Sequence, residues 1–241
     1  MDVLYIVIPA YNESANIRKT VEEWYPVVEA HAANGQSRLV VINDGSRDDT
    51  YEKLQDLAES HHLMTALTME NDGPGPTLLY GYWYALEKHA VYIFQTDSDG
   101  QTNPGEFEAF WEQREEYEAQ FGNRTSRGDG SSRVFVERVL CLMLRLYYGV
   151  SIPDANAPFR LMREDYLKRS IALLPERYGL PNVMLTVFGR YYGRKIAFHP
   201  ISFKPRTKGR NSINMKKIVG IGIQSLRDFW QIRQTMRQNS F

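Results

Sequence analysis

Cysteine is nearly absent: Cys141 stands alone among 241 residues, inside an apolar stretch. A lone thiol forms no internal disulfide, so a disulfide-stapled secreted scaffold is excluded and a reducing compartment is expected. No uninterrupted apolar run reaches the roughly 20 residues that a membrane-spanning helix needs. Met1-Asp2 leads straight into an apolar segment, without the basic region that opens a secretory signal. Charge of one sign is not in excess either. The 29 basic residues balance 29 acidic ones, which argues against a general nucleic-acid binder. Internal repeats and low-complexity linkers are missing as well. These absences describe a soluble, cytoplasmic protein long enough to bury a sizeable core, with attachment to the inner face of a membrane left open.

What is present is alternation. Apolar, β-branched segments at Val3–Ile8, Leu39–Asn43, Met64–Met69 and Val91–Thr96 read as strands. Between them, helices are expected from Asn16 to about His31, from Asp48 or Asp49 to Ser60, and from Thr77 to His89, the last after a turn at Asn71–Pro76. Asn103-Pro104-Gly105-Glu106 carries a cap, a first-position proline and a capping-box glutamate, and predicts a helix reaching about Phe121. This rhythm implies an α/β fold: a mostly parallel central sheet with helices on both faces. In the second half, Gly122–Arg133 is glycine- and serine-rich and reads as a mobile loop. Helices follow at Val134–Tyr148, Glu164–Leu174 and Asn182–Tyr192, a strand at Ile196–Phe203, and an amphipathic helix from Asn214 to Gln238. That last helix packs on the domain or on a partner subunit, or lies in a membrane interface. The whole chain, 1–241, reads as one domain, with a nucleotide-binding half over 1–121 and an acceptor half over 122–241.

The chemistry gathers where strands end. Val91–Thr96 runs into Asp97-Ser98-Asp99-Gly100-Gln101. Asp97 and Asp99 are two residues apart, so an extended chain points both to one side. Two hard oxygen donors, with Gln101 beyond, make an open site for Mg²⁺ or Mn²⁺ that still needs ligands from a substrate phosphate. In α/β sheets that end of the strands is where ligands bind. The first strand is followed by Pro9-Ala10-Tyr11-Asn12-Glu13, with none of the G-x-G-x-x-G of a dinucleotide site. The second ends in Asn43-Asp44-Gly45-Ser46, whose carboxylate can accept hydrogen bonds from a base or ribose. Alone, the Asp97–Asp99 motif reads equally well as a surface turn, and Asp44-Gly45-Ser46 alone reads better as one; three polar strand ends on one sheet edge are harder to dismiss.

Together, Pro9-x-Tyr11-Asn12-Glu13, Asp44-Gly45-Ser46 and Asp97-x-Asp99 resemble the motifs of family 2 inverting glycosyltransferases with the GT-A fold. Asn123-Arg124, Asp154 with Phe159-Arg160-Leu161, Pro200-Ile201-Ser202-Phe203 and Arg206-x-x-Gly209 resemble the dolichyl- and polyprenyl-phosphate sugar transferase branch. The resemblance implies that Pro9, Tyr11, Glu13, Ile42 and Asp44 hold the nucleoside of a UDP- or GDP-linked sugar. It implies that Asp97, Ser98 and Asp99 bracket the diphosphate and metal, with Gln101 a further metal ligand. Arg124 and Arg206 then meet phosphates of donor or acceptor, which suits the bidentate guanidinium. Asp154 reads either as a general base for an acceptor hydroxyl or as a structural carboxylate paired with Arg160 or Arg163. The acceptor is a polyprenyl phosphate or, in the alternative, a glycan hydroxyl in polysaccharide synthesis. A catalytically silent sugar-nucleotide-binding module is the rival from another class, and self-association is left open.

Overall fold

The computed structural model describes residues 2–127, 131–205 and 215–238, with side chains at 2–125, 134–205 and 227–238. Seven strands form one sheet: β1 Leu4–Ala10, β2 Arg38–Asp44, β3 Met64–Met69, β4 Tyr92–Thr96, β5 Ala119–Arg127, β6 Phe159–Arg163 and β7 Ile196–Phe203. Their order is β3-β2-β1-β4-β6-β5-β7. Neighbours from β3 to β4 are parallel, β6 runs antiparallel to β4 and β5, and β7 is parallel to β5. Eight helices are described: α1 Ile17–Ala30, α2 Thr50–Ser60, α3 Pro74–Glu87, α4 Phe107–Trp111, α5 Ser131–Tyr148, α6 Glu164–Ile171, α7 Pro181–Tyr191 and α8 Met215–Gln238.

Strand alternation produces two apolar layers. Val7, Val40 and Ile42 face Leu79, Tyr82, Val187 and Phe188 of α3 and α7. Ile6, Ile8, Val41 and Phe94 face Val21 and Trp24 of α1 and Leu54 of α2. Removing each such side chain from water contributes about 2 kcal/mol before entropy is counted. Trp24 sits 5.3 Å from the Phe94 ring and 5.9 Å from Phe159, joining α1 to the middle of the sheet. On the other face α3 comes close because residue 81 is glycine; a Cβ there would lie 2.6 Å from Val7 Cγ1.

Three expected elements differ. The helix starting near Pro104 is short: a 3-10 turn at Pro104–Glu106 and α4 ending at Trp111. Residues from Ala119 then enter β5, where Ala119, Gln120 and Phe121 are all buried between β6 and β7. Burial on both faces of a strand outweighs the helical pattern of the preceding polar run. The supposed loop from Gly122 is therefore strand as far as Arg127, while residues 128–130 lie outside the described residues. α3 begins at Pro74 rather than Thr77, its prolines occupying a first turn that needs no N–H donors. The short β6 had been visible only as the Phe159-Arg160-Leu161 motif. The sheet passes without a break through both proposed halves, β5 itself spanning residue 121.

Candidate active site at the strand ends

The C-terminal ends of β1, β2 and β4 lie side by side, and the loops leaving them are sewn together. Asn12 N–H donates to Ser46 Oγ at 2.9 Å, and Arg47 N–H to Asn12 Oδ1 at 2.8 Å. Glu13 N–H reaches Thr50 Oγ1 at 2.9 Å, while its carboxylate accepts from Asn16 Nδ2 at 2.7 Å. Asn12 holds a left-handed φ of 53°, which asparagine tolerates better than most residues. Pro9 pairs with Ile42 across the ladder. The Ile42 side chain is fully buried in the core under α3, whereas Tyr11 is half-buried at the surface.

Asp44, 3% exposed, closes the next turn. Its carboxylate accepts from the backbone N–H of Asp72 at 2.9 Å and of Gly73 at 3.2 Å. Asn71 Nδ2 donates to the Asp44 carbonyl at 2.8 Å. Gly45 is required here: it has φ +58°, and a Cβ would come within 2.6 Å of the Asn71 nitrogen.

Asp97 and Asp99 follow β4 in a turn fixed at both ends. Thr96 and Thr102 hydroxyls meet at 2.7 Å, and Gln101 N–H donates to Asp99 Oδ1 at 3.2 Å. The Ser98 carbonyl accepts from Thr20 of α1 at 2.8 Å. Gln101 Nε2 donates to the Lys204 carbonyl at 2.7 Å, tying the turn to the end of β7. Burial and the adjacent Asp99 charge push the Asp97 carboxyl up to about 7; Glu13 adds to the rise, and Arg124 and Arg160 oppose it. Concentrated negative charge on hard oxygen donors fits Mg²⁺ or Mn²⁺. Among the described residues no group of three or more His, Cys, Asp or Glu could hold a metal. Asp97 and Asp99 could hold such an ion only with further oxygens, such as those of a substrate phosphate, completing its shell.

Behind Asp97 lies a buried polar chain. Gln95 Nε2 donates to Asp97 Oδ1 at 3.3 Å, Asn182 Nδ2 to Gln95 Oε1 at 3.2 Å, and Tyr82 Oη to Asn182 Oδ1 at 3.4 Å. Arg160, wholly buried, donates to the carbonyls of Ala155, Ala157 and Asn182 at 2.7 to 2.8 Å. Burial pulls its guanidinium down to about 10. Sequence reasoning missed Gln95, Asn182 and Tyr82; the one available signal was glutamine inside the apolar run Val91–Thr96.

Arg124 and Asp154 face each other. Arg124 Nε and Nη2 donate to the two Asp154 oxygens at 2.7 and 2.8 Å, and the Arg124 backbone N–H adds a third bond at 3.2 Å. Both side chains are almost wholly buried, at 7% and 3% exposure. Asp154 thus pairs with Arg124 and not with Arg160 or Arg163; Arg163 instead bonds Asp165 at 2.8 Å. Arg206 lies outside the described residues.

A family model described as Glycosyl transferase family 2 matches residues 5–171. An undecaprenyl-phosphate mannosyltransferase of Micrococcus luteus is 26% identical over 219 residues, covering 86% of each chain. A dolichyl-phosphate beta-glucosyltransferase of Trichomonas vaginalis is 33% identical over 106 residues, 42% of this chain. This chain spans 31% of that relative's length. Glucosyl-3-phosphoglycerate synthase from Mycobacterium tuberculosis, solved with Mn²⁺ and uridine-diphosphate-glucose, superposes with a TM-score of 0.67 at 19% identity, covering 95% of this chain and 79% of that one. S. aureus TarS with UDP-GlcNAc gives 0.60 at 16% identity, over 88% and 62%. At such identities the likeness concerns the fold, which is the expected GT-A α/β sheet.

Proposed function

Since the chain belongs to glycosyl transferase family 2, we propose that it moves a sugar from a nucleoside-diphosphate donor to an acceptor in one inverting displacement. The observation that carries this reading is the pair Asp97 and Asp99 at the open end of β4, in a turn held at both sides. These residues would hold Mg²⁺ or Mn²⁺, which as a Lewis acid stabilises charge on the departing diphosphate. Pro9, Tyr11 and Glu13 would line the nucleoside side, with Asp44 shaping the turn that borders it. UDP in the solved neighbours supports a uridine donor over a guanosine one.

The names of the relatives support a polyprenyl-phosphate acceptor. So does the state of Asp154, whose oxygens already accept from Arg124. A phosphate oxygen is anionic at neutral pH and attacks without a base, whereas a glycan hydroxyl needs one. The pair then positions the acceptor side of the site, and a lipid acceptor places the enzyme at a membrane surface. No described helix is long and apolar enough to cross a membrane.

The test is Asp99→Asn. Transfer from a UDP-sugar to polyprenyl phosphate should fall by about two orders of magnitude or more, and Mn²⁺-dependent UDP binding should weaken, with the thermal midpoint kept. Full activity of the variant in a chelator would sink the mechanism.

A further inference from the structure

The outer face of α5 has a composition that a solvated helix does not need. Its exposed positions between 134 and 148 are Phe135, Arg138, Val139, Leu142, Arg145 and Leu146. At 3.6 residues per turn they fall within an arc of about 120°. Phe135, Leu142 and Leu146 are 67%, 55% and 79% exposed. Among residues 134–148 no carboxylate and no uncharged polar side chain shares that arc; the helix's one acid, Glu137, points inward, accepting from Ala155 N–H at 2.8 Å and lying 3.6 Å from Arg124. The inner positions Leu144 and Tyr148 are buried, Tyr148 donating to the Phe229 carbonyl of α8 at 2.9 Å. Next to it Trp230 is exposed.

We propose that this face of α5 seats on an anionic lipid surface, with Phe135, Val139, Leu142 and Leu146 entering the acyl boundary and Arg138 and Arg145 meeting headgroup phosphates. The charge pattern selects this occupant. A second copy packed antiparallel on the same face would set Arg138 against Arg145 with no acid to neutralise either, while an anionic bilayer accepts both. Long arginine side chains keep their charge at headgroup level while their stems lie along apolar surface. The inner face of the same helix leans on the Arg124–Asp154 pair, so docking would bring the lipid boundary beside the acceptor side of the site. This deepens the lipid-phosphate reading above and rests on it for its purpose, though not for its physics.

The experiment is co-sedimentation with vesicles of phosphatidylcholine alone and of phosphatidylcholine with phosphatidylglycerol, across a salt series. The protein should follow the anionic vesicles and release as salt rises. Leu142→Asp with Leu146→Asp should weaken binding by about tenfold per leucine, and Arg138→Glu with Arg145→Glu by at least about tenfold. Both variants should keep the thermal midpoint and Mn²⁺-dependent UDP binding, since the altered positions face outward. Transfer to a short-chain polyprenyl phosphate dispersed in detergent is measured alongside. Vesicle binding without transfer upholds the docking face and overturns the acceptor. Transfer without vesicle binding, or leucine variants that bind as tightly as the parent, overturns the docking face. A dimer that the leucine variants split while vesicle binding persists assigns the face to a second copy and overturns it equally.

Discussion

Asp97 shows how the site stores an electrostatic cost. Its ordinary value of 3.8 is raised to about 7 by burial and by Asp99. Folding therefore disfavours its ionised form. In the metal-free protein this cost is absent below about pH 4, grows as pH rises through the interval to 7, and is complete above it. A three-unit rise sets about 4 kcal/mol as the upper bound of this cost, and at least about 1 kcal/mol is expected once the surroundings relax around the charge. Asp97→Asn should then stabilise the metal-free protein by that amount at pH 8 and leave it unchanged near pH 4, read by urea denaturation. Added Mn²⁺ should stabilise the parent at pH 8 and not the variant. A variant no more stable than the parent at pH 8 would show that the Asp97 charge is relieved by other means.

Among elements, what the sequence made legible follows from periodicity. β1, β2 and β4 are short apolar runs closed by turn residues, and β3 matches its expected bounds, so the parallel half and its polar edge could be read directly. β5 could not. Glu112–Glu118 continues a helical charge pattern, and only pairing with β6 and β7, far along the chain, makes Ala119–Arg127 a strand. The partner of Asp154 was hidden for the same reason: Arg124 lies at distance 30 in sequence, whereas Arg160 and Arg163 are close by. The relay from α3 and α7 to Asp97 is a similar long-range product. If it orients the carboxylate, Asn182→Ala should leave Gln95 Oε1 and Tyr82 Oη without this partner and cost about 1–3 kcal/mol. It should also weaken Mn²⁺-dependent UDP binding by about tenfold, as loss of a metal's outer hydrogen bonds does. Lower stability with unchanged binding in calorimetry would confine Asn182 to packing.

At the scale of the molecule, the two parts of the sheet meet at the antiparallel β6, and beside that junction sits the buried Arg124–Asp154 pair. Losing one member of a buried pair costs about 3 kcal/mol or more where nothing else meets the remaining charge; here Glu137, 3.6 Å from Arg124, offsets part of the cost when Asp154 is removed and loses that contact when Arg124 is. Arg124→Leu should therefore destabilise more than Asp154→Leu, and the double variant should recover only part of the loss, since Glu137 still loses its contact to Arg124. Activity separates the pair's roles further. If Asp154 serves as a base, Asp154→Asn should cut single-turnover transfer by roughly two to four orders of magnitude and remove an ionisation from the pH–rate profile. If it holds Arg124 in place for an anionic acceptor, the loss should be smaller, appear mainly as weaker acceptor binding, and leave the profile's shape intact. The bidentate contact and deep burial favour the second outcome. A vanished ionisation would reverse that choice and point to a glycan hydroxyl.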